Sequence, residues 1–391
     1  MEIERVLLIH NYYQQGGGEH TVFENEVCLL RQHGVNVFTY TRDNKDLKKK
    51  PWLLILTPFS TIWSFSSYRA VKRIIRQHNI QLVHCHNTFP QISPSVYYAA
   101  WSCGIPVVQT IHNFRFICPN GLCFRDGQIC EDCLAGGLKS ALFHGCYRGS
   151  RIQTLPVVLM LSIHRMLRTY KKLPCIFLTK FNKEKIASAL GLPAANIFIR
   201  GNLVKSEQKM KAVQIKKNRF VYAGRLDTYK GVEWMLDCFS QHPELDLVIF
   251  GDGDLRWKVE KIAASYPNIK LRGQCEHSEV LAGIASAVAL VFPSLLYEGF
   301  PMVIAESFAL GVPVLCSNVG NGAQIVRQTG GGVLYDLENL KSFDKAVNQL
   351  LRDRSNLATK AYQAAIQWGP EFSWRSLKKI YEEIIRHGTT S

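Results

Sequence analysis

The 391-residue chain reads as an α/β protein made of two doubly wound domains. Three observations predict this. Short apolar runs recur from end to end, each followed by a segment of helical periodicity, the pattern of parallel strands joined by crossover helices. The length exceeds one ordinary core and suits two domains of similar size. A polar, lysine-rich, weakly periodic segment at 201–218 divides the pattern in two and reads as a linker.

In chain order, the strands expected in the first half are 6–10, 35–40, 82–86, 107–111 and 175–179. Those expected in the second half are 220–224, 245–250, 269–273, 288–292 and 312–316. The domains are set at 1–200 and 201–372. A closing helix at 373–391 carries an apolar stripe of Trp374, Leu377, Ile380, Tyr381 and Ile384.

The 47% hydrophobic and 20% charged composition is that of a soluble globular enzyme. The N-terminus is acidic and its apolar run is only a few residues long, so no signal peptide is expected. Segment 51–67 is broken by Pro58 and several serines and is too short to span a bilayer. A cytoplasmic location is therefore expected. Charge is uneven: the first 200 residues hold 24 Lys and Arg against 11 Asp and Glu, the remainder 23 against 20. A basic half calls for an anionic partner. No zinc-finger, helix-turn-helix or aromatic-basic RNA signature accompanies it, which favours an anionic membrane surface over nucleic acid. Segments 48–76 and 151–172, which mix aromatic or apolar residues with cations, are the expected contacts; each could equally be a domain helix with one buried face.

The chemistry concentrates in a few motifs. Residues 293–320, PSLLYEGFPMVIAESFALGVPVLCSNVG, follow an apolar strand and read as loop, helix and strand, with Pro301 as first helical residue. Amides of Phe300, Met302 and Val303 at that helix start would face an anion. Glu298 just before them and Glu306 within the helix would reach hydroxyls, so the pattern describes a sugar nucleotide. Gly16-Gly17-Gly18-Glu19 follows the first strand and lets backbone approach a phosphate or sugar, although its spacing is neither a dinucleotide fingerprint nor a P-loop. Arg225 and Lys230 in YAGRLDTYKG are two cations at a strand mouth, as a leaving diphosphate requires without a metal. Gly251-Asp252-Gly253-Asp254 reads as a tight turn, with Gly251 near the nucleotide.

His112 ends a strand of the first half, and His86 ends the strand before it, as a weaker, structural or acceptor-side candidate. Cys118, Cys130, Cys133 and Cys146 cluster with Cys123 in an insertion at 113–150. A four-thiolate zinc site and free thiols are both open, while disulfides are disfavoured in a reducing compartment.

These motifs resemble the retaining glycosyltransferases of family 4, in P-S-x-x-Y-E-G-F-P-M-V-x-x-E-S, G-G-x-E and G-R-x-x-x-x-K-G. The C-P-N-G…C-x-x-C segment resembles an insertion in one branch of that family. The resemblance implies two Rossmann-like domains facing across a cleft (GT-B), the last helix crossing back to the first. It implies a nucleoside-diphosphate sugar donor, with UDP the expected nucleotide, and a glycan or lipid-linked acceptor in cell-surface polysaccharide or glycolipid synthesis. It also implies front-face transfer without cofactor or catalytic metal. Arg225 and Lys230 would bind the diphosphate, Glu298 the sugar, Glu306 the ribose and the Gly16–Glu19 loop the pyrophosphate, with His112 beside the transferred sugar. A nucleotide-sugar epimerase, a sugar phosphorylase and a non-catalytic partner subunit are the alternatives.

Overall fold

The structure, a computed structural model, describes residues 3–14, 17–49, 51–205, 215–216 and 218–388. Gly16, most of the expected linker and the side chains of Lys48, Lys50 and 51–55 fall outside the described residues. The chain forms two compact units. One comprises Met1–Cys123, Cys130–Leu203 and Glu371–Ser391, the other Phe124–Ile129 and Val204–Pro370.

The first unit holds strands β1 (Arg5–Tyr12), β2 (Asn36–Asp43), β3 (Leu82–Asn87) and β4 (Val107–Ile111). The two-stranded hairpin of β5 (Phe124–Arg125) and β6 (Gln128–Ile129) that follows in the chain belongs to the second unit, and β7 (Cys175–Phe177) and β8 (Ile197–Ile199) complete the first. Its parallel sheet runs β2-β1-β3-β4-β7-β8. The second unit holds β9 (Arg219–Ala223), β10 (Asp246–Phe250), β11 (Ile269–Gly273), β12 (Ala289–Phe292), β13 (Val314–Ser317) and β14 (Gly332–Tyr335). They are all parallel in the order β11-β10-β9-β12-β13-β14. The central strands are buried on both faces because crossover helices cover both, which is why they read as unbroken apolar runs.

All ten expected strands form. Each sheet also has an outer strand that the sequence reading lacks. β8 is only three residues long, and β14 opens on a glycine, so neither stands out as an apolar run. The closing helix is Pro370–Gly388, and its Leu377, Ile380, Tyr381 and Ile384 share one buried cluster with Val6, Leu8, Phe23 and Val27.

Strand order locates the sites. In each sheet the chain starts in the middle, winds outward one way, then returns to wind the other. The loops leaving the two strands at that reversal turn to opposite faces and leave a crevice at their C-terminal ends. The reversal lies between β1 and β3 in the first unit and between β9 and β12 in the second.

At the second reversal Gly231 has φ +70°, and a Cβ there would lie 1.9 Å from the carbonyl oxygen of Pro293. Gly311 is equally left-handed (φ +68°) but has nothing within 4 Å of a built Cβ. Gly311→Ala should therefore cost about 1–2 kcal/mol of backbone strain alone. Gly231→Ala should cost distinctly more, about 3 kcal/mol or above, because two loops must separate. Urea midpoints of the two variants check this; equal losses would contradict it.

Candidate active site

In the second unit the loops after β9 and β12 lock together. Leu295 N–H donates to Tyr229 O (3.0 Å), and Lys230 Nζ pairs with Glu298 Oε1 at 2.6 Å. Ser294 Oγ donates to the same oxygen at 2.8 Å. Glu298 itself is left-handed (φ +54°), a conformation rare outside glycine and worth notice at a binding loop. Asn321 holds it there, its Nδ2 donating to the carbonyls of Glu298 (2.6 Å) and Gly299 (3.0 Å). Gly320 permits the approach of that Asn321 segment, since a Cβ would sit 2.5 Å from Tyr297 Cα.

Arg225, 57% exposed, pairs at 2.6 Å with Asp227, which is 4% exposed, and its guanidinium lies over the Tyr229 ring. Tyr222 OH donates to Arg225 O at 2.6 Å and fixes the turn. The helix Met302–Ala309 begins after Pro301, whose ψ of 93° makes it the cap residue and not the first helical one. Its pyrrolidine still supplies φ −74°; Ile304 N–H donates back to Pro301 O (3.0 Å), while the amides of Met302 and Val303 have no carbonyl before them in the helix to donate to. Phe300 is buried edge-on against Trp368. Glu306 Oε1 lies 3.4 Å from His277 Nε2, a neighbour that sequence reading missed. Gly251 (φ +139°) is required by close backbone approach, because a Cβ would meet Gly224 O at 1.8 Å. In the adjoining turn, Asp252 accepts from Gly253 N–H and pairs with Arg256.

In the first unit, Gly17 caps the helix Gly18–Gln32 with extended backbone, and Glu19 lies in its first turn. Burial raises the Glu19 carboxyl to about 8, against the opposing pull of Arg115 and Asn113. His112, at the end of β4, is joined to His86: His112 Nε2 and His86 Nδ1 are 3.0 Å apart, with stacked rings. His86 Nε2 is 3.1 Å from Glu26 Oε1, and Glu26 Oε2 receives Arg200 Nη1 at 2.6 Å. His84 Nδ1 also reaches Glu26 Oε1 at 3.0 Å. The H-x-H alternation of His84 and His86 puts both on one face of β3, a signal legible in sequence. Their partner Glu26 had none. A pocket of about 450 Å³, partly open to solvent, is lined by His86, His112, Asn113 and Arg115 among others.

Of the two readings left open for the cysteines, the zinc site finds no support. Among the described residues Cys118, Cys130, Cys133 and Cys146 form no group of ligand atoms within 4.8 Å of one another, so the four thiolates a zinc ion requires are not gathered. Cys118 instead meets Cys123, whose hydrogen bond pulls the Cys118 thiol down to about 6, while Cys133 is pushed up to about 12 by burial. No disulfide forms among the described cysteines. Among the described residues the one group close enough is Glu26, His84 and His86, but Arg200 already supplies a cation to that carboxylate.

Two family models match the chain, "Glycosyl transferases group 1" over residues 205–368 and "Glycosyltransferase Family 4" over 15–125. The chain is a glycosyltransferase. It is 24% identical over 396 residues to the uncharacterized glycosyltransferase MJ1178 of Methanocaldococcus jannaschii, covering 98% of this chain and 99% of that one. It is 25% identical over 237 residues to a lipopolysaccharide 1,2-N-acetylglucosaminetransferase of Salmonella typhimurium, covering 55% of this chain and 61% of that one. Curated relatives are spanned unevenly, one of them over only 23% of its length. The Anabaena protein Alr3699/HepE, solved in complex with UDP, superposes with a TM-score of 0.61 at 14% identity, over 99% of this chain and all of that one. The glycosyltransferase thus has the two Rossmann-like domains of the GT-B fold. Among its described residues no helix is long and apolar enough to cross a membrane.

The buried histidines set a pH response. Burial lowers His10 to about 2 and His84 to about 4, and holds His112 well below its usual range. Below pH 6.5 the unfolded chain takes up protons there that the folded chain refuses, so stability is lost as pH falls, by up to about 1.4 kcal/mol per pH unit for each group. Glu19, raised to about 8, acts oppositely: its folded form keeps a proton between pH 4.5 and 8, so its contribution falls as pH rises. Three groups outweigh one, and the urea midpoint should fall from pH 7 to pH 5. A constant or rising midpoint would contradict the buried neutral cluster.

Proposed function

We propose that this glycosyltransferase moves a hexose or N-acetylhexosamine, with retention, from a nucleoside-diphosphate sugar to a glycan or lipid-linked acceptor. The observation that carries this reading is the reversal between β9 and β12. There stand Arg225, paired with Asp227, Lys230, paired with Glu298, and the amides that open the helix Met302–Ala309. Two cations and helix-end amides meet the charge that develops on a departing diphosphate. Glu298 anchors sugar hydroxyls, Glu306 holds the ribose, and the diphosphate oxygen itself takes the acceptor proton, so no protein base or metal is needed. Gly16, Gly17, Gly18 and Glu19 serve the pyrophosphate, and His112 the transferred sugar. The UDP bound by the Anabaena structure supports a uridine nucleotide. The Salmonella relative supports an acceptor in surface-glycan synthesis.

An anionic membrane is the proposed platform for the acceptor. Residues 47–125 and 133–183 contain no Asp or Glu, so the cations there have no acidic neighbour in sequence. The helices Pro51–Ile62 and Arg151–Met166 pack together and leave Phe59 and Ile152 72% and 83% exposed. Exposed apolar side chains on segments that carry cations and no acids suit an anionic lipid surface.

Incubation with a panel of labelled nucleotide sugars and watching for nucleoside diphosphate release tests the chemistry. Release should persist in EDTA, and the product anomer should match the donor. Arg225→Ala and Lys230→Ala should each lower kcat by about 100-fold or more. Wild-type rates in Glu298→Ala would overturn the sugar-anchor role. Sugar interconversion without acceptor, or dependence on phosphate, would mark an epimerase or a phosphorylase instead. Separately, the protein should sediment with phosphatidylglycerol vesicles and not with phosphatidylcholine, less so in high salt and in a Phe59→Ser, Ile152→Ser variant. Absent or salt-insensitive binding would reject the membrane platform.

A further inference from the structure

His112 makes a single hydrogen bond among the described residues, to His86, and that bond ends a chain starting at a buried ion pair. Glu26 Oε2 is occupied by Arg200 Nη1 at 2.6 Å. Its Oε1 faces His86 Nε2 at 3.1 Å and His84 Nδ1 at 3.0 Å. A carboxylate only accepts, so His86 donates through Nε2–H. A neutral imidazole has one donor and one acceptor, so His86 Nδ1 must accept. The partner of that nitrogen, His112 Nε2 at 3.0 Å, must then carry the proton. The remaining His112 nitrogen, Nδ1, is left with a bare lone pair, on a ring that lines the pocket with Asn113 and Arg115.

The geometry points to Glu26 and His86 as positioning residues that lock His112 in its Nε2–H tautomer. Its Nδ1 thereby becomes an acceptor that selects a neutral hydroxyl on the sugar over a carboxylate. This rests on the transfer reading given above, in which His112 meets the sugar. A carboxylate at the same place would set lone pair against lone pair, so the subsite excludes a uronate there. His84 completes the frame. Its Nδ1–H is directed at Glu26 and at Tyr381 OH (2.6 Å), and its Nε2 accepts from Thr110 Oγ1 (2.7 Å).

Because Arg200 occupies Oε2, the chain can be reversed by one substitution. In Glu26→Gln the amide oxygen stays with Arg200 and the NH2 turns to the histidines. His86 Nε2 must then accept, its Nδ1–H donates to His112 Nε2, and the proton of His112 moves to Nδ1. The test is 15N NMR of the full-length chain labelled at histidine, with His112→Gln used to assign the resonances. The expected wild-type species is the Nε2–H tautomer of His112. Glu26→Gln should switch it to Nδ1–H and lower kcat for sugar transfer by roughly 10- to 100-fold with a smaller effect on KM. His86→Phe, which keeps an aromatic ring beside Phe23, should give a mixture of both tautomers. An Nδ1–H His112 in the wild type, or an Nε2–H form unchanged in both variants, would overturn the relay. A switched tautomer with unchanged kcat would overturn the positioning role. The tautomer is read without any substrate, so failure of the relay is distinguishable from failure of the transfer reading.

Discussion

What the second unit offers a ligand depends on how closely the loop after β9 lies on the loop after β12. Gly231 takes a left-handed conformation directly beneath the carbonyl of Pro293, where no side chain fits. That approach brings Tyr229 O to Leu295 N–H and Lys230 to Glu298. Two motifs some seventy positions apart are therefore one object: the glycine of the first sets the place of the glutamate of the second. Glu298 pays in backbone conformation, with φ +54°, and Asn321 and Ser294 hold it against relaxation. A residue kept out of its preferred region by several specific hydrogen bonds is the pattern of a site shaped for binding.

The N-terminal unit solves a different problem. Glu26 and Arg200 are both nearly fully buried, and taking such a pair out of water is repaid only when the remaining polar atoms are satisfied. Here the carboxylate also receives His84 and His86, and Arg200 Nε donates to Ser373 O at the start of the closing helix, which leaves Arg200 Nη2 as the one nitrogen of the guanidinium without a partner among the described residues. Tyr381 of that helix joins through His84. The same network thus ties the returning C-terminal segment to β3 and orients the histidine at the end of β4. Packing alone could have secured the helix, since Leu377 and Ile384 already bury their side chains. The polar network adds directionality that apolar contacts lack.

The sheets were legible because a strand covered on both faces must be apolar throughout, as 288–292 and 107–111 are. The short edge strands Ile197–Ile199 and Gly332–Tyr335 carried too little of that signal. Arg225, Lys230, Glu298 and Glu306 were readable from local spacing within strand–loop–helix segments. Their pairings were not: Lys230 with Glu298 and Glu306 with His277 follow from strand order, which spacing does not encode. Pro301 is the cap residue and not the first helical one, a distinction spacing does not carry because proline suits both positions and only ψ separates them. The choice between a zinc site and free thiols was not legible either. C-x-x-C spacing brings two thiols near each other, but only the path of the whole insertion decides whether two more arrive, and here Cys118 turns to Cys123.

The central claim is that the reversal between β9 and β12 holds the nucleoside diphosphate. A crystal structure of the protein soaked with UDP tests it most directly. The account predicts phosphate density within hydrogen-bond reach of Arg225, Lys230 and the amides of Phe300, Met302 and Val303, with the ribose on Glu306. Density for the phosphates at the β1–β3 reversal, with Arg225 and Lys230 untouched, would contradict it.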